Sequence, residues 1–559
     1  MRVLSHGIPF CCDESPLFLY DGPHEIRYLG NYDRAYYQYD PLKESASDII
    51  GRIARDWEPD LLLCWIPEVH PPPTGIEDAP VPTVALVSDW NLYYPLLNVN
   101  LARYDLTLCD KPGVNVLRSD LVSPHHLFPL YSQITPLHKP HPTGKDIDVV
   151  FVGNLNHAAH PRRARYLERL AKLSGRYRIV IATGVFGEAY TRLLSRARIV
   201  FNHSVRGELN LRVFETIACG SLAFLEEDNQ EVWDWLEPDR EVVLYNETNL
   251  EERIQHFIER RDEADAIAAR GHARAAGFAG ENRFSELIEW AAAQPGSGRP
   301  FRQLPRLERD YQSLLMYGFS RWKVYRAIEE DLITRLAKAA PGDPRVWTVI
   351  GQHLLNAYSK AGEPDQRRER YTKAFMQAHR LDPSSAPRAL NAASVFRIEG
   401  NEDGELHYLQ ATLDAESLSG ADFLLGTHQS AFWSRWQSAA AYGAATLDMI
   451  RAEAHIRLAR ILARNGSAAA AEEHLHLAER LDPANTGGVR LLSDIQWAAG
   501  RHAHAVDTLR ARLSDLPFDL DARRSLIERL IELGEVTEAR ALEAETRLIT
   551  SAHGSLPSE

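Results

Sequence analysis

Residues 206–227 read RGELNLRVFETIACGSLAFLEE. From Leu211 the apolar positions Leu211, Phe214, Ile217 and Ala218 follow helical spacing, and Gly220 suits the left-handed residue that stops a helix. The spacing predicts a short helix with Asn210 as its N-cap, followed by an apolar run into two acids. Arg212 is the anomaly. A cation in the first helical turn opposes the macrodipole, whereas a bound anion in front of free amides would account for it. A guanidinium fork and amides aimed at one point suit a diphosphate, and Glu215, one turn on from Leu211, could accept from ribose hydroxyls. The competing reading is an N-capped helix with a surface Arg212–Glu215 pair at i, i+3.

Outward from this helix, short apolar runs alternate with helical segments: IDVVFVGN, RRARYLERLAKL, YRIVIATGV, ARIVFNHS and REVVLYN. Strands alternating with helices imply a parallel sheet with right-handed crossovers. Ligands of such sheets bind beyond the carboxyl ends of the strands. Three loops meet that condition: VGNLN with Gly153 and Asn154, TGVFGEAY with Gly184 and Phe186 as the lining of a base pocket, and the opening stretch with Glu208, Asn210, Arg212 and Glu215. At Gly153 the missing side chain would let a phosphate or sugar approach the backbone, or would serve a tight turn alone.

The same pattern occupies residues 1–140, in RVLSHG, PDLLLCWIPE, VPTVALVSDW and YDLTLCDKP. Two α/β sheets would therefore face each other across a cleft. On the first, Asp89 and then His6 are the candidates to take a proton from an acceptor or to hold the donor sugar's hydroxyls, both at carboxyl-end loops. A capping Asp and a locally satisfied His are the alternatives. SPHHL gives His125 and His126 without converging partners, which fits a surface loop and no metal site.

DVVFVGN, the RRARYLERL helix, IVFNHSVRGELNLRVFETIACGSLAFLEED and LEERIQHFIERRDEADAIAARGHARA together resemble the group 1 glycosyltransferases of the CgeB-like, spore-maturation type. The resemblance covers 146–292 and reaches the first sheet loosely. It implies the GT-B fold, two Rossmann-like domains around a cleft, with a nucleotide-diphosphate sugar as donor and no metal or other cofactor. It also places Asn210, Arg212 and Glu215 in the donor site. Related retaining enzymes carry an E-x7-E pair. Here Glu215 suits the second acid, but the residue eight earlier is Gly207 and Glu208 stands one step closer.

Beyond the Pro- and Gly-rich QPGSGRPFRQLP (294–305), which reads as a linker, strand signals cease. Gly466, Gly500 and Gly534 recur at 34-residue intervals, as do Ala471, Ala505 and Ala539, and Pro483 with Pro517. Turn, close-contact and helix-end residues in one register resemble tetratricopeptide (TPR) repeats, an α-solenoid whose concave face would bind a protein partner or acceptor. The expected fold class is thus α/β plus all-α. Its domains are 1–140, 141–295, a connecting 296–340, and helical repeats over 341–550, interrupted by an irregular insertion at SGADFLLGTHQSAFWSRW.

The 559 residues suit several domains at roughly 150 residues each. A net charge of −14 argues against a nucleic-acid surface. Five cysteines without a CxxC pair (Cys11, Cys12, Cys64, Cys109, Cys219) read as buried thiols in a reducing compartment. Without a signal peptide or bilayer-spanning run, a cytoplasmic location is expected. The functional reading is sugar transfer from a nucleotide-diphosphate donor to an acceptor hydroxyl, on a protein or a cell-surface glycan. Two others stand beside it: a TPR adaptor with a non-catalytic nucleotide-sugar module, and a GT-B sugar-nucleotide epimerase.

Overall fold

The computed structural model describes the chain except residues 8–19, 31–34, 42, 69, 118–121, 123, 131, 133, 156–159, 297, 319–325, 362–364, 421–423, 425–430 and 553–559. Cys11 and Cys12 lie outside the described residues; Cys64, Cys109 and Cys219 are buried thiols.

Among the described residues, ten strands form two parallel sheets. In the first, β1 (Arg2–His6), β2 (Glu25–Leu29), β3 (Leu61–Trp65), β4 (Thr83–Leu86) and β5 (Leu106–Leu108) lie in the order β2-β1-β3-β4-β5. In the second, β6 (Ile147–Val152), β7 (Ile179–Ala182), β8 (Ala197–Phe201), β9 (Leu222–Glu226) and β10 (Val243–Tyr245) lie in the order β10-β9-β8-β6-β7. The winding is the same. Every strand pair is parallel, so connections must cross over and helices cover both faces, which is why the central strands are apolar throughout. On β6, Val149 and Phe151 join the core under helix Pro161–Lys172, while Val150 and Val152 join the core on the opposite face.

The sheets differ from the expected boundaries at one helix. Gly280–Ala293, assigned by sequence to the second unit, buries Phe284, Leu287, Ile288 and Ala291 against Val3, Leu63, Val84 and Leu108 of the first. The chain thus crosses between the units twice.

The segment read as a linker is also pinned. Arg299, buried and left-handed (φ 54°), donates to the carbonyl of Ala79 at 2.6 Å and to Asp105 Oδ2 at 2.8 Å, and Phe301 is buried. Helix Arg306–Gly318 then packs with Leu96 of the first unit and with the helices that follow, so the helical region begins near 306.

The 34-residue register becomes three helical hairpins: Leu447–Arg464 with Ala468–Leu481, Val489–Ala498 with His502–Asp515, and Leu520–Glu532 with Val536–Ala552. Gly466, Gly500 and Gly534 turn each pair with φ of 80°, 76° and 79°, a region in which a Cβ is strained. Ala471, Ala505 and Ala539 are buried where the helices touch. The last hairpin returns to the second sheet's unit. Phe518 enters its core, Arg523 Nη2 donates to Glu168 Oε1 at 2.7 Å, and Arg165 Nη2 to Asp515 Oδ1 at 2.6 Å. Among the described residues no helix is long and apolar enough to cross a membrane.

Candidate functional site

In each sheet the chain reverses its direction of travel between two neighbouring strands, and the crevice at their carboxyl ends is the expected ligand position. In the second sheet these strands are β6 and β8. Arg212 spans their ends: Nε donates to the carbonyl of Val152 at 2.7 Å and Nη1 to Asn202 Oδ1 at 2.7 Å. Its guanidinium lies 4.5 Å from the Phe151 ring centroid.

This placement changes the role of Gly153. A Cβ there would fall 2.4 Å from Arg212 Nη2, so the missing side chain makes room for the guanidinium and not for a phosphate against the backbone. The Arg212–Glu215 surface pair does not form. Instead Tyr190 donates to Glu215 Oε2 at 2.6 Å, and His138 Nε2 lies 3.4 Å from Oε1. Burial, then the Glu215 charge, pushes the Tyr190 hydroxyl well above its ordinary range.

Asn210 occupies the N-cap position with extended backbone, but its side chain makes no capping bond and Oδ1 is buried without a partner. The amides of Leu211 and Arg212 thus open the helix Leu211–Ala218 without side-chain acceptors. Asn154 is exposed, Gly184 turns its loop at φ 72°, and Phe186 is 65% exposed ahead of helix Gly187–Arg196. That ring is free to meet a planar ligand.

A second guanidinium, not singled out from the sequence, also lies near the Phe151 ring, 5.8 Å from its centroid. Arg163 is buried on the first turn of helix Pro161–Lys172, donating to the carbonyls of His203 at 3.1 Å and Asn154 at 3.3 Å. Burial, then the Arg212 charge, lowers it to about 10. Among the described residues neither arginine has a carboxylate at ion-pair distance; both bond to neutral oxygens. The signal was available: HPRRAR places cations at a helix start, the same dipole conflict that drew attention to Arg212.

Glu208 is buried and turned onto its own loop. Its carboxylate accepts the Arg206 amide at 2.8 Å and lies 3.6 Å from the Arg206 guanidinium. Arg206 itself reaches across to the first unit, donating to Asp110 Oδ2 at 3.1 Å and Asn91 Oδ1 at 2.9 Å. Glu231 completes the seam, accepting the Lys111 amide at 2.9 Å and the Leu209 amide at 2.7 Å, one from each unit. Burial pushes the Glu231 carboxyl up to about 8. His126, expected on a surface loop, instead places Nε2 3.5 Å from Glu231; His125 is exposed against Trp290. Among the described residues no His, Cys, Asp and Glu cluster could hold a metal.

On the first sheet the reversal lies between β1 and β3. There a Cβ on Gly7 would fall 2.4 Å from the Trp65 carbonyl, so the crevice is tight. His6 is buried with Nε2 3.1 Å from the Tyr39 hydroxyl, and burial, reinforced by His70, lowers it to about 3. Such an imidazole stays neutral. Asp89 differs: its side chain is 52% exposed and Oδ1 lies 3.6 Å from Arg206 Nη1. Its amide, with that of Ser88, donates to buried Glu68, whose carboxyl burial raises to about 7.

A family model described as glycosyl transferase-like matches residues 137–289, the span that holds Arg163, Arg206, Arg212 and Glu215. The sequence matches none of the curated proteins it was compared with. Solved structures similar to it include a glycosyltransferase from Rickettsia africae, at 10% identity and TM-score 0.36 over 52% of this chain and 97% of that one. The Anabaena protein HepE in complex with UDP and glucose is similar at 13% identity and TM-score 0.35, over 52% and 100%. The pneumococcal O-GlcNAc transferase GtfA, in complex with UDP and GlcNAc, is similar at 13% identity and TM-score 0.31, over 42% of this chain. This chain spans 57% of that enzyme's length.

Proposed function

We propose that the protein is a GT-B glycosyltransferase of the CgeB-like type that moves a sugar from a nucleotide-diphosphate donor to an acceptor hydroxyl. The carrying observation is the pair Arg163 and Arg212: two guanidinia, 5.8 Å and 4.5 Å from the Phe151 ring centroid, whose charges repel each other, with no carboxylate at ion-pair distance among the described residues. Two like charges held without a carboxylate are costly unless an anion joins them. The match of residues 137–289 to a glycosyltransferase-like family supports the same reading.

In this reading the diphosphate rests on Arg163, Arg212 and the amides of Leu211 and Arg212. Glu215, oriented by Tyr190 and His138, holds the ribose, and Phe186 flanks the base. The bond from the anomeric carbon to the diphosphate oxygen breaks while the acceptor oxygen bonds to that carbon. Asp89 takes the acceptor proton, and the leaving diphosphate keeps the electron pair against the two guanidinia. The helical hairpins are TPR-type repeats that recruit a protein acceptor or partner.

The test is a thermal-shift screen of the full-length protein with UDP and nucleotide sugars. A ligand at 100 times its Kd stabilises by about 2.7 kcal/mol. A shift present in the wild type and absent in Arg212→Ala supports the donor site; no shift with any nucleotide sugar removes the enzyme reading. One observation favours a non-catalytic adaptor instead: Glu208 is spent on its own loop. Binding of a nucleotide sugar without any turnover, transfer or hydrolysis, would establish that alternative.

A further inference from the structure

Helix Ala431–Ala441, which begins inside the segment read as an irregular insertion and runs past it, packs on helix Trp90–Asn100 of the first unit. Ala441 is buried with Val87, Trp90, Leu97 and Leu101. The next residue, Tyr442, is 54% exposed, with its ring edge-on to Trp90 at 5.9 Å. From there a continuous series of contacts leads to the donor side. The Trp90 indole N–H donates to Asp110 Oδ1 at 2.8 Å. Asp110 Oδ2 accepts Arg206 Nε at 3.1 Å and Nη2 at 3.0 Å, and the Arg206 guanidinium also lies 5.6 Å from the Trp90 ring centroid.

Arg206 in turn belongs to the loop that opens helix Leu211–Ala218. Its amide is held by Glu208 at 2.8 Å, and the Gly207 amide by Ser204 Oγ at 3.0 Å. Trp90 and Asp110 are fully buried, and the Arg206 side chain is nearly so. Burial, with the Asp110 and Glu208 carboxylates, shifts the Tyr442 hydroxyl upward against the opposing Arg206 charge, which places the phenol within their field. Three parts of the molecule therefore meet here: the helical array through Tyr442, the first sheet's unit through Trp90 and Asp110, and the donor loop through Arg206.

We propose that Tyr442 is a positioning residue for the donor loop, acting through Trp90, Asp110 and Arg206, so that the helical array controls how firmly residues 204–210 are held for the nucleotide diphosphate. The contact series fixes loop geometry independently of ligand; the ligand class rests on the function proposed above. A partner bound near Tyr442 would therefore change donor affinity without entering the donor site.

The experiment is hydrogen–deuterium exchange of the full-length protein, comparing wild type with Tyr442→Ala, Tyr442→Phe and Gly113→Ala. In Gly113→Ala the new Cβ would fall 2.8 Å from both Trp90 Nε1 and Asp110 Oδ1, which breaks the series in its middle. Tyr442→Ala and Gly113→Ala are expected to speed exchange of the 204–210 amides by roughly threefold to tenfold, within the range for coupling through contiguous contacts. Tyr442→Phe, which keeps the ring, should restore the wild-type rate. Faster exchange confined to 431–450, with 204–210 unchanged, overturns the proposal. Calorimetry with UDP is the second readout, expected to show a weaker Kd for Tyr442→Ala by a similar factor and no change for Tyr442→Phe. If UDP fails to bind the wild type, the donor reading is lost, and the exchange of 204–210 still decides whether the coupling exists.

Discussion

The two sheets are wound identically, yet the crevices at their points of reversal are opposites. Between β6 and β8, Arg212 bridges the strand ends and Arg163 adds a second guanidinium. Between β1 and β3, Gly7 closes tightly on Trp65, His6 is neutral, and the groups beyond are the carboxylates of Glu68 and Asp89. One topology thus presents guanidinia at one crevice and carboxylates beyond the other. The winding sets where chemistry happens, and a handful of loop residues sets which chemistry.

That contrast can be broken from its acidic side first. Asp89→Asn should lower turnover of the nucleotide sugar by about a hundredfold and change UDP affinity far less, because the proton acceptor is lost while Arg206 keeps its bonds to Asp110 and Asn91. Equal losses in turnover and in UDP binding would make Asp89 part of the donor site. On the cationic side, Arg212→Ala should cost about 2 kcal/mol, roughly thirtyfold in the Kd for UDP by calorimetry. Arg163→Ala should follow it closely.

Gly153→Ala is the sharper probe, since it leaves every charge in place and only displaces Arg212. UDP affinity should fall about tenfold with a near-native melting temperature, and an unchanged Kd would show that the guanidinium need not sit across β6 and β8. The smallest effect concerns the seam between the sheets. Burial raises the Glu231 carboxyl from 4.5 to about 8, so the folded state binds a proton that the unfolded state has released. Stability from this group is full below pH 4.5 and is lost as pH rises towards 8. Glu231→Gln, at a cost of about 1 kcal/mol at pH 6 for a weakened acceptor, should flatten the decline in melting temperature between pH 6 and 8.

Legibility in the sequence followed burial. Nine strands were visible because both faces are covered, which makes each an apolar run. EIRYL (β2) was not, since an edge strand half open to solvent carries polar residues among its apolar ones. The 34-residue register was plain because three glycines must adopt positive φ at equivalent turns. Arg212 was legible as a violation of the helix dipole, whereas its direction was not. Nothing in RGELNLRVF says that the side chain folds back to Val152 and Asn202, nor that Gly153, some sixty positions earlier, yields the space. Arg206 was missed because its partners, Asp110 and Asn91, come from the other sheet's unit, a pairing that no local pattern encodes.

A free-standing solenoid is weakest at its tips, where the terminal repeat has a neighbour on one side only. Here the tips are the moorings. Helix Arg306–Gly318 shares a core with Leu96, and Phe518 and Arg523 are sunk into the opposite unit. The array is a string tied at two points, so a shift in the spacing of the two sheets must be taken up along its length. Cutting it away would not leave the two sheet units as they stand. It would leave two open apolar wounds, one on each side of the cleft.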